Sequence, residues 1–183
     1  LLPGPGRLDP WFLMQLGTVY EVQPEPPDPL HTIWFDAGAV RFGVESRDVD
    51  PASLEESYRD DPEGWAEIQA AQPEGGFSDI GVSLHVVDAG SGHELLRFDA
   101  FVDGPHYHYI HPDRRHNEVI AFDAVANGDP LDWSLACLRE RLRGMLERAG
   151  GEEVAQRLDA ARCAAVLDDV AALAQELRPA EPA

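Results

Sequence analysis

Apolar and polar side chains alternate in four short runs within residues 80–124, and this pattern constrains the fold more than any other feature. The turn signals AGSG and DGP and the loop PDRRHN separate the runs. A period of two places the apolar side chains on one face of a strand and the polar ones on the other. Four such strands at hairpin spacing predict an antiparallel β-meander with one face against a core.

The period changes after Asn127 to spacings of three and four, which predicts C-terminal helices within residues 129–178. Asp129 and Pro130 form a helix start, with an N-cap carboxylate followed by proline at the first helical position. A second helical pattern is interrupted near Asp159. We therefore predict an α+β fold: an antiparallel sheet of four to six strands with the C-terminal helices packed on one face.

The chain of 183 residues is long enough for one domain with its own core, so residues 1–183 are predicted to form a single domain. Residues 1–79 are interpreted as a Pro-rich N-terminal arm with strands at His31–Phe35 and Ala39–Val44, followed by an acidic excursion. This excursion, residues 45–77, is expected to contain two short helices and to roof part of the sheet.

The net charge is −20, from 34 acidic residues against 14 arginines, and the sequence contains no lysine. The lack of lysine excludes a pyridoxal phosphate Schiff base and a P-loop for nucleotides. The negative charge argues against nucleic acid and anionic membrane surfaces as partners, and it permits a basic protein partner. Cys137 and Cys163 have apolar neighbours and no pairing motif, which favours buried thiols and a cytoplasmic location.

Four of the seven histidines fall within eleven residues, directly after the turn signal Asp103-Gly104. A two-residue turn at this point pairs Phe101 with His106. The same register places Asp99 opposite His108, so both histidines share a face with this aspartate.

The other strands are oriented by keeping their apolar side chains toward the core. On this rule Asp123 pairs with His106. The face covered by the helices is predicted to hold Phe98, Tyr107, Tyr109, Ile120 and Phe122. The polar face is predicted to hold Ser83, His85, Arg97, Asp99, His106, His108 and Asp123.

Two histidines two residues apart on one strand, with a carboxylate across from each, contain the ingredients of a two-His-one-carboxylate metal site. His106 and His108 are the predicted imidazole ligands, and Asp99 or Asp123 completes the set around Fe(II), Mn(II) or Zn(II). Either aspartate can instead hold a histidine tautomer from outside the coordination sphere. Histidine also fits a half-buried strand without any ligand, so a metal-free pocket and a solvated face remain alternatives.

The remaining residues of the polar face are candidates for contact with a substrate. Ser83, His85 and Arg97 are the predicted substrate-binding residues, since the guanidinium can hold an anionic group through two hydrogen bonds. Arg97, Asp99 and Asp123 are the catalytic candidates. The favoured function is a cytoplasmic small-ligand or metal-binding protein, for example an accessory subunit. The alternatives are a metal-dependent enzyme and an acidic interaction protein that docks a basic partner.

The segments LLRFDAFVDGPHYHYIHP and NGDPLDWSLACLRERLRGMLERAG resemble an uncharacterised bacterial domain family, over roughly residues 80–150. In that family's pattern a Phe-Asp pair precedes Pro-His-Tyr-His-Tyr, and Gly-Asp-Pro-Leu-Asp-Trp opens a helix. The resemblance implies a sheet-plus-helix module without a known activity. The resemblance singles out, as residues of the two matching strings, Phe98, Asp99, His106, Tyr107, His108, Asp129 and Trp133.

Overall fold

A computed structural model describes residues 17–72, 74, 76–112 and 116–180. The start of the N-terminal arm, residues 1–16, lies outside this range. The described strands are β1 (Thr18–Tyr20), β2 (Ile33–Asp36), β3 (Val40–Val49), β4 (Asp79–Asp88), β5 (Glu94–Phe101), β6 (His106–Ile110) and β7 (Asn117–Ala121). The described helices are α1 (Pro51–Ser57), α2 (Pro62–Ala71), α3 (Ala124–Asn127), α4 (Pro130–Glu140), α5 (Leu142–Arg148), α6 (Glu152–Gln156) and α7 (Ala160–Glu176).

The seven described strands form one antiparallel sheet in the order β1-β7-β6-β5-β4-β3-β2. The predicted meander forms its β4 to β7 part. β3 and β2 extend one side of the meander and β1 pairs with β7 on the other. The α+β prediction is therefore confirmed, with more strands than the expected four to six because N-terminal segments join both edges.

The C-terminal helices begin where their sequence signals predict. The carboxylate of Asp129 accepts a hydrogen bond from the backbone N–H of Asp132 at 2.9 Å and caps α4. Asp159 caps α7 in the same way through the N–H of Arg162 at 3.0 Å. Each cap satisfies a backbone donor that has no partner inside its own helix. Within the described chain, no helix is long and apolar enough to cross a lipid bilayer.

The C-terminal helices pack on the apolar face of the sheet. Trp133 of α4 lies against Phe98, Tyr107 and Phe122, with ring centroids 6.1, 5.2 and 5.1 Å away. Buried leucines of α4, α5 and α7 extend the same core, among them Leu138, Leu146 and Leu167. The prediction of which sheet face the helices cover is confirmed.

The polar face of the sheet is also buried. Ser83 and His85 are 0% exposed, Arg97 is 1% exposed and Asp99 is 2% exposed. Over Arg97 and Asp99 the cover comes from the Pro24–Glu25 segment and from α1 and α2, whose side chains face these two residues across a cavity. These polar groups therefore require hydrogen-bond partners within the protein, because burial removes them from water.

Candidate metal centre

The pairing of β5 with β6 determines which groups meet, and it differs by two residues from the predicted register. His106 lies opposite Asp99, and His108 lies opposite Arg97. The predicted pairs of Phe101 with His106 and of Asp99 with His108 are therefore wrong. A shift of two residues preserves the face of every side chain, so both histidines still share a face with Asp99.

The loop between β5 and β6 explains this shift. The carboxylate of Asp79, at the start of β4, accepts hydrogen bonds from the backbone N–H groups of Val102, Asp103 and Gly104 at 2.7–3.2 Å. Pro105 has no N–H to donate to a tight turn. The chain therefore forms a wider loop around a buried acid instead of the predicted two-residue turn.

Asp123 does not join the histidines. His106 pairs with Ala121, the last residue of β7, and not with Asp123 as predicted. The carboxylate of Asp123 instead accepts hydrogen bonds from the N–H groups of Val125 and Ala126 at 3.0 and 3.2 Å, as the N-cap of α3. The chain leaves the sheet before Asp123, because helix α3 begins immediately afterwards.

Asp99, His106 and His108 bring three potential metal-binding atoms together. Oδ2 of Asp99 lies 3.0 Å from Nε2 of His108 and 3.3 Å from Nε2 of His106. One ligand atom from each residue lies within 4.8 Å of the others. Asp99 and His108 are buried, and the side chain of His106 is 20% exposed.

The second nitrogen of each histidine has its own oxygen partner. Nδ1 of His106 donates to the backbone carbonyl of Gly104 at 2.7 Å, and Nδ1 of His108 donates to Oδ1 of Asn117 at 2.9 Å. A hydrogen bond of this kind fixes the ring and leaves Nε2 as the lone-pair nitrogen, the arrangement typical of metal-binding histidine. In the neutral rings both lone pairs would face the carboxylate, so a proton or a cation is required between each nitrogen and that oxygen.

The environment sets the charge of each group. Burial alone would raise the pKa of Asp99, but hydrogen bonds with His106 and His108 outweigh it and hold that pKa well below its usual range. Burial lowers the pKa of His106, yet Asp99 raises it overall. For His108 burial dominates, so its pKa is lowered. An ionised carboxylate and a neutral imidazole are the forms that bind a metal, and a metal would displace the proton from His106.

A cavity of about 240 Å³ lies between this centre and α1 and α2. Asp99, His106, His108 and Asn117 are on its sheet side, so the space beside the three ligand atoms opens into it. The other walls are mainly apolar. They include Val49, Leu54, Tyr58, Ile68, Phe77, Phe101 and Val119.

The model of a family described as a domain of unknown function, DUF7700, matches residues 34–174. The chain belongs to this family. All three residues of the candidate centre lie inside the DUF7700 domain, whereas β1 and the Pro24–Glu25 segment precede it. The expected membership of an uncharacterised domain family is confirmed. Comparison with curated proteins and with solved structures finds no match.

Ser83 of the DUF7700 domain lies beneath the centre and does not line the cavity. Its Oγ–H donates to Oδ1 of Asp99, across the β4–β5 pair that places the two residues opposite each other. This bond holds one carboxylate oxygen and leaves Oδ2 toward the histidines. The structure therefore places Ser83, a predicted substrate-binding residue, where it orients the carboxylate.

The guanidinium of Arg97 is already engaged within the protein. It donates to both carboxylate oxygens of Glu94, at 3.0 and 2.6 Å, and to the backbone carbonyl of Glu25 at 2.6 Å. His85 is held on both sides, 2.6 Å from Glu94 and 3.2 Å from Glu45. Arg97 borders the cavity and His85 does not. Both predicted substrate contacts thus belong to a buried ion network beside the centre.

Sequence reasoning missed Glu94 and Asn117. Glu94 lies three residues before Arg97, which in a regular strand would put the two on opposite faces. An irregularity opposite Val86 and Val87 inserts Leu95 into β5 and turns Glu94 onto the polar face. Asn117 starts β7 at the same parity as Val119, which lies opposite His108. The alternation alone places Asn117 on the polar face, but the strand register is needed to show that its partner is His108.

Proposed function

We propose that this protein binds one divalent metal ion through Asp99, His106 and His108, and binds a small molecule at that metal in the adjoining cavity. The observation that supports the proposal is the approach of two Nε2 atoms to one carboxylate oxygen. Both rings meanwhile hold oxygen acceptors through Nδ1.

The distances suit a small ion. Zinc binds histidine nitrogen and carboxylate oxygen at about 2.0–2.1 Å, so neighbouring ligand atoms in a tetrahedral site stand about 3.3 Å apart. The two nitrogen-to-oxygen distances, 3.0 and 3.3 Å, are close to that separation. Neutral imidazole with carboxylate suits Fe(II), Mn(II) or Zn(II), and the set contains no thiolate that would select a softer ion.

A second candidate function is a metal-dependent enzyme. Three protein ligands leave at least one coordination position for water or substrate, as in catalytic zinc and non-heme iron sites. The cavity lies beside that position. Asp99, His106 and His108 would then hold the metal. Arg97, whose guanidinium is paired with Glu94, would act on the site through the electrostatic field of that ion pair. A cytoplasmic location and a basic protein partner remain predictions from the two buried thiols and the net charge of −20.

Metal content tests the proposal directly. Untagged protein is stripped with a chelator, dialysed against Zn(II), Mn(II) or anaerobic Fe(II), and measured by elemental analysis. We expect one tightly held ion per chain. Asp99→Asn, His106→Ala and His108→Ala are each expected to lose it. His31→Ala is the matched control, because His31 is exposed and pairs with Asp28 away from the centre.

The fold of each variant is checked by circular dichroism in the presence of chelator. Variants that fold like the wild-type protein and keep a full equivalent of metal would contradict the proposal. Wild-type protein that holds no more metal than the folded variants would contradict it as well.

A further inference from the structure

We propose that the ligand of the metal centre is a small aromatic carboxylate, with its ring in the cavity and its anionic oxygens on the metal. This inference rests on the proposed function, since the metal provides the binding point for the oxygens. Three properties of the cavity lead to it: volume, wall chemistry and charge.

The volume fits a single ring. An apolar cavity of about 150 Å³ admits benzene, whereas drug-sized ligands occupy about 300 Å³ or more. The cavity here, about 240 Å³, lies between these limits. A benzene ring with one or two small substituents matches that space.

The wall next to the metal is aromatic. The rings of Phe101 and His106 lie nearly perpendicular to each other, with centroids 5.7 Å apart and planes at 80°. Phe77 follows at 6.4 Å from Phe101, and both rings border the cavity. Leu54 and Ile68 complete an apolar surface on the helical side. Aromatic rings favour edge-to-face and offset contacts with one another, so this wall favours a ring over an aliphatic body.

The charges around the cavity favour an anion once a metal is bound. The charged side chains that border the cavity, apart from the two histidine ligands, are Glu25, Asp99, Arg47 and Arg97. The arginines pair with Glu45 and Glu94, and His85 contacts both of these carboxylates, so one connected ion network contains Glu25, Glu45, Glu94, Arg47, Arg97 and His85, and Asp99 adjoins it through its electrostatic interaction with Arg97. Four negative groups thus meet three positive ones, with His85 charged because both ring nitrogens contact carboxylates. A divalent ion leaves one positive charge in excess. A carboxylate neutralises this excess, and the attraction is stronger beside buried groups than in bulk water because the effective dielectric constant is lower there.

The far wall offers a second polar contact. Nε2 of Gln72 is buried and has no hydrogen-bond partner among the described residues, and its side chain borders the cavity. A buried donor of this kind is costly unless an acceptor reaches it. We therefore expect the ring to have an oxygen substituent, such as a hydroxyl group, in addition to its carboxylate.

Calorimetric titration of the full chain tests the proposal with benzoate as the probe. Benzamide is the uncharged comparison, since it has nearly the same shape. We expect zinc-loaded protein to bind one benzoate, at least about tenfold more tightly than it binds benzamide. We also expect zinc-loaded protein to bind benzoate about tenfold more tightly than metal-free protein does. Equal affinity for benzoate and benzamide, or equal affinity with and without zinc, would overturn the proposal.

Two variants test the ring. Leu54→Trp on α1 fills the cavity from the side opposite the metal ligands, so we expect zinc to bind and benzoate to be lost. Phe77→Leu is expected to weaken benzoate severalfold while cyclohexanecarboxylate binding stays unchanged. Among the three hydroxybenzoate isomers, at least one is expected to bind more tightly than benzoate and to lose that advantage in Gln72→Met. Benzoate affinity unchanged by Leu54→Trp would place the anion elsewhere and overturn the proposal.

The zinc content of each sample separates this inference from the proposed function. Protein that holds one zinc but shows no preference for benzoate refutes the aromatic carboxylate alone. Protein that holds no zinc refutes the metal centre, and the ligand assignment with it.

Discussion

Asp99 lies directly opposite His106 on the neighbouring strand and also reaches His108, two residues further along. Both imidazoles meet the same oxygen, Oδ2, while Ser83 holds the other oxygen from below. The carboxylate therefore provides the negative charge of the candidate centre and the oxygen that both imidazoles contact. Both roles depend on Asp99 being ionised.

Replacement of Asp99 by asparagine is expected to reduce zinc affinity by at least about 100-fold, since it removes the anionic ligand with little change in shape. Competition with a chromophoric chelator measures the loss. Asp103→Asn, in the exposed loop nearby, is the control and should bind zinc like the wild-type protein. Comparable losses in both variants would point to a general effect of charge instead of ligation.

Asn117 holds the ring of His108, and its replacement separates orientation from ligation. Asn117→Leu removes the acceptor for Nδ1–H and should lower zinc affinity by about 10–100-fold. Asn117→Asp keeps an acceptor and makes the imidazole more basic, so affinity should stay equal or rise. Chelator competition on the two variants side by side gives the answer, and an identical loss in both would argue against this role.

Metal binding should stabilise the fold. A ligand at about 100 times its dissociation constant adds about 2.7 kcal/mol to the free energy of unfolding. For a domain of this size that raises the melting temperature by about 5–10 °C. Calorimetric scans with zinc and with excess chelator measure the difference, which should vanish in His108→Ala and persist in His31→Ala. An unchanged melting temperature in wild-type protein would speak against a site formed only in the folded state.

Asp79 supports the loop whose Gly104 carbonyl holds His106. Loss of its carboxylate leaves the backbone N–H groups of Asp103 and Gly104 without their acceptor, whereas Val102 keeps its bond to the carbonyl of Ile80. Asp79→Ala should therefore cost about 2–3 kcal/mol of stability. Because Gly104 would lose its fixed position, zinc affinity should fall as well. Urea unfolding and zinc titration test the two effects, with Asp103→Ala in the same loop as control. A stable variant with weak zinc binding would separate the two roles of the loop.

The buried ion network predicts a loss of stability at alkaline pH. Burial opposes the charge of His85, but Glu94 and Glu45 outweigh it and raise its pKa above the ordinary value of 6.5. A raised pKa means that the folded protein binds the proton more tightly than the unfolded chain. The stabilisation is complete below about pH 6.5 and is lost as the pH rises through the folded-state pKa. Urea midpoints of chelator-treated protein should fall across this window.

His85→Gln is the comparison for that measurement. It cannot titrate, so its midpoint should depend less on pH over the same range, although the protein is less stable throughout. Parallel pH profiles for His85→Gln and the wild-type protein would show that another group produces the alkaline loss.

The alternation of side chains was sufficient to predict the sheet, the side covered by the helices and the common face of Asp99, His106 and His108. It was insufficient for the register, because alternation determines pairing only up to multiples of two residues. The true register depends on Asp79, which lies far from the β5–β6 turn in sequence. Its carboxylate accepts hydrogen bonds from backbone N–H groups of this loop, which is wider than the two-residue turn predicted from Asp103-Gly104.

Other errors come from residues at which the regular pattern ends. Asp123 follows the alternation of β7 but lies beyond its last residue, where capping of α3 determines its position. Glu94 was assigned no role because the insertion of Leu95 into β5 is invisible in a count of alternating residues. A partial roof over the polar face was expected from residues 45–77, but the nearly complete burial of Arg97 was not, since alternation does not show how closely covering helices approach a sheet.

Helices α1 and α2 belong to one connection, between β3 and β4, whereas the three candidate metal ligands come from β5 and β6. If the proposed function holds, the helical wall of the cavity is encoded separately from the residues that would bind the ion, and Phe101 of β5 is the aromatic residue contributed by the same strand as Asp99. We therefore expect that a longer, shorter or different connection between β3 and β4 would leave the metal ligands unchanged. Such proteins would bind the same metal but accept small molecules of other sizes.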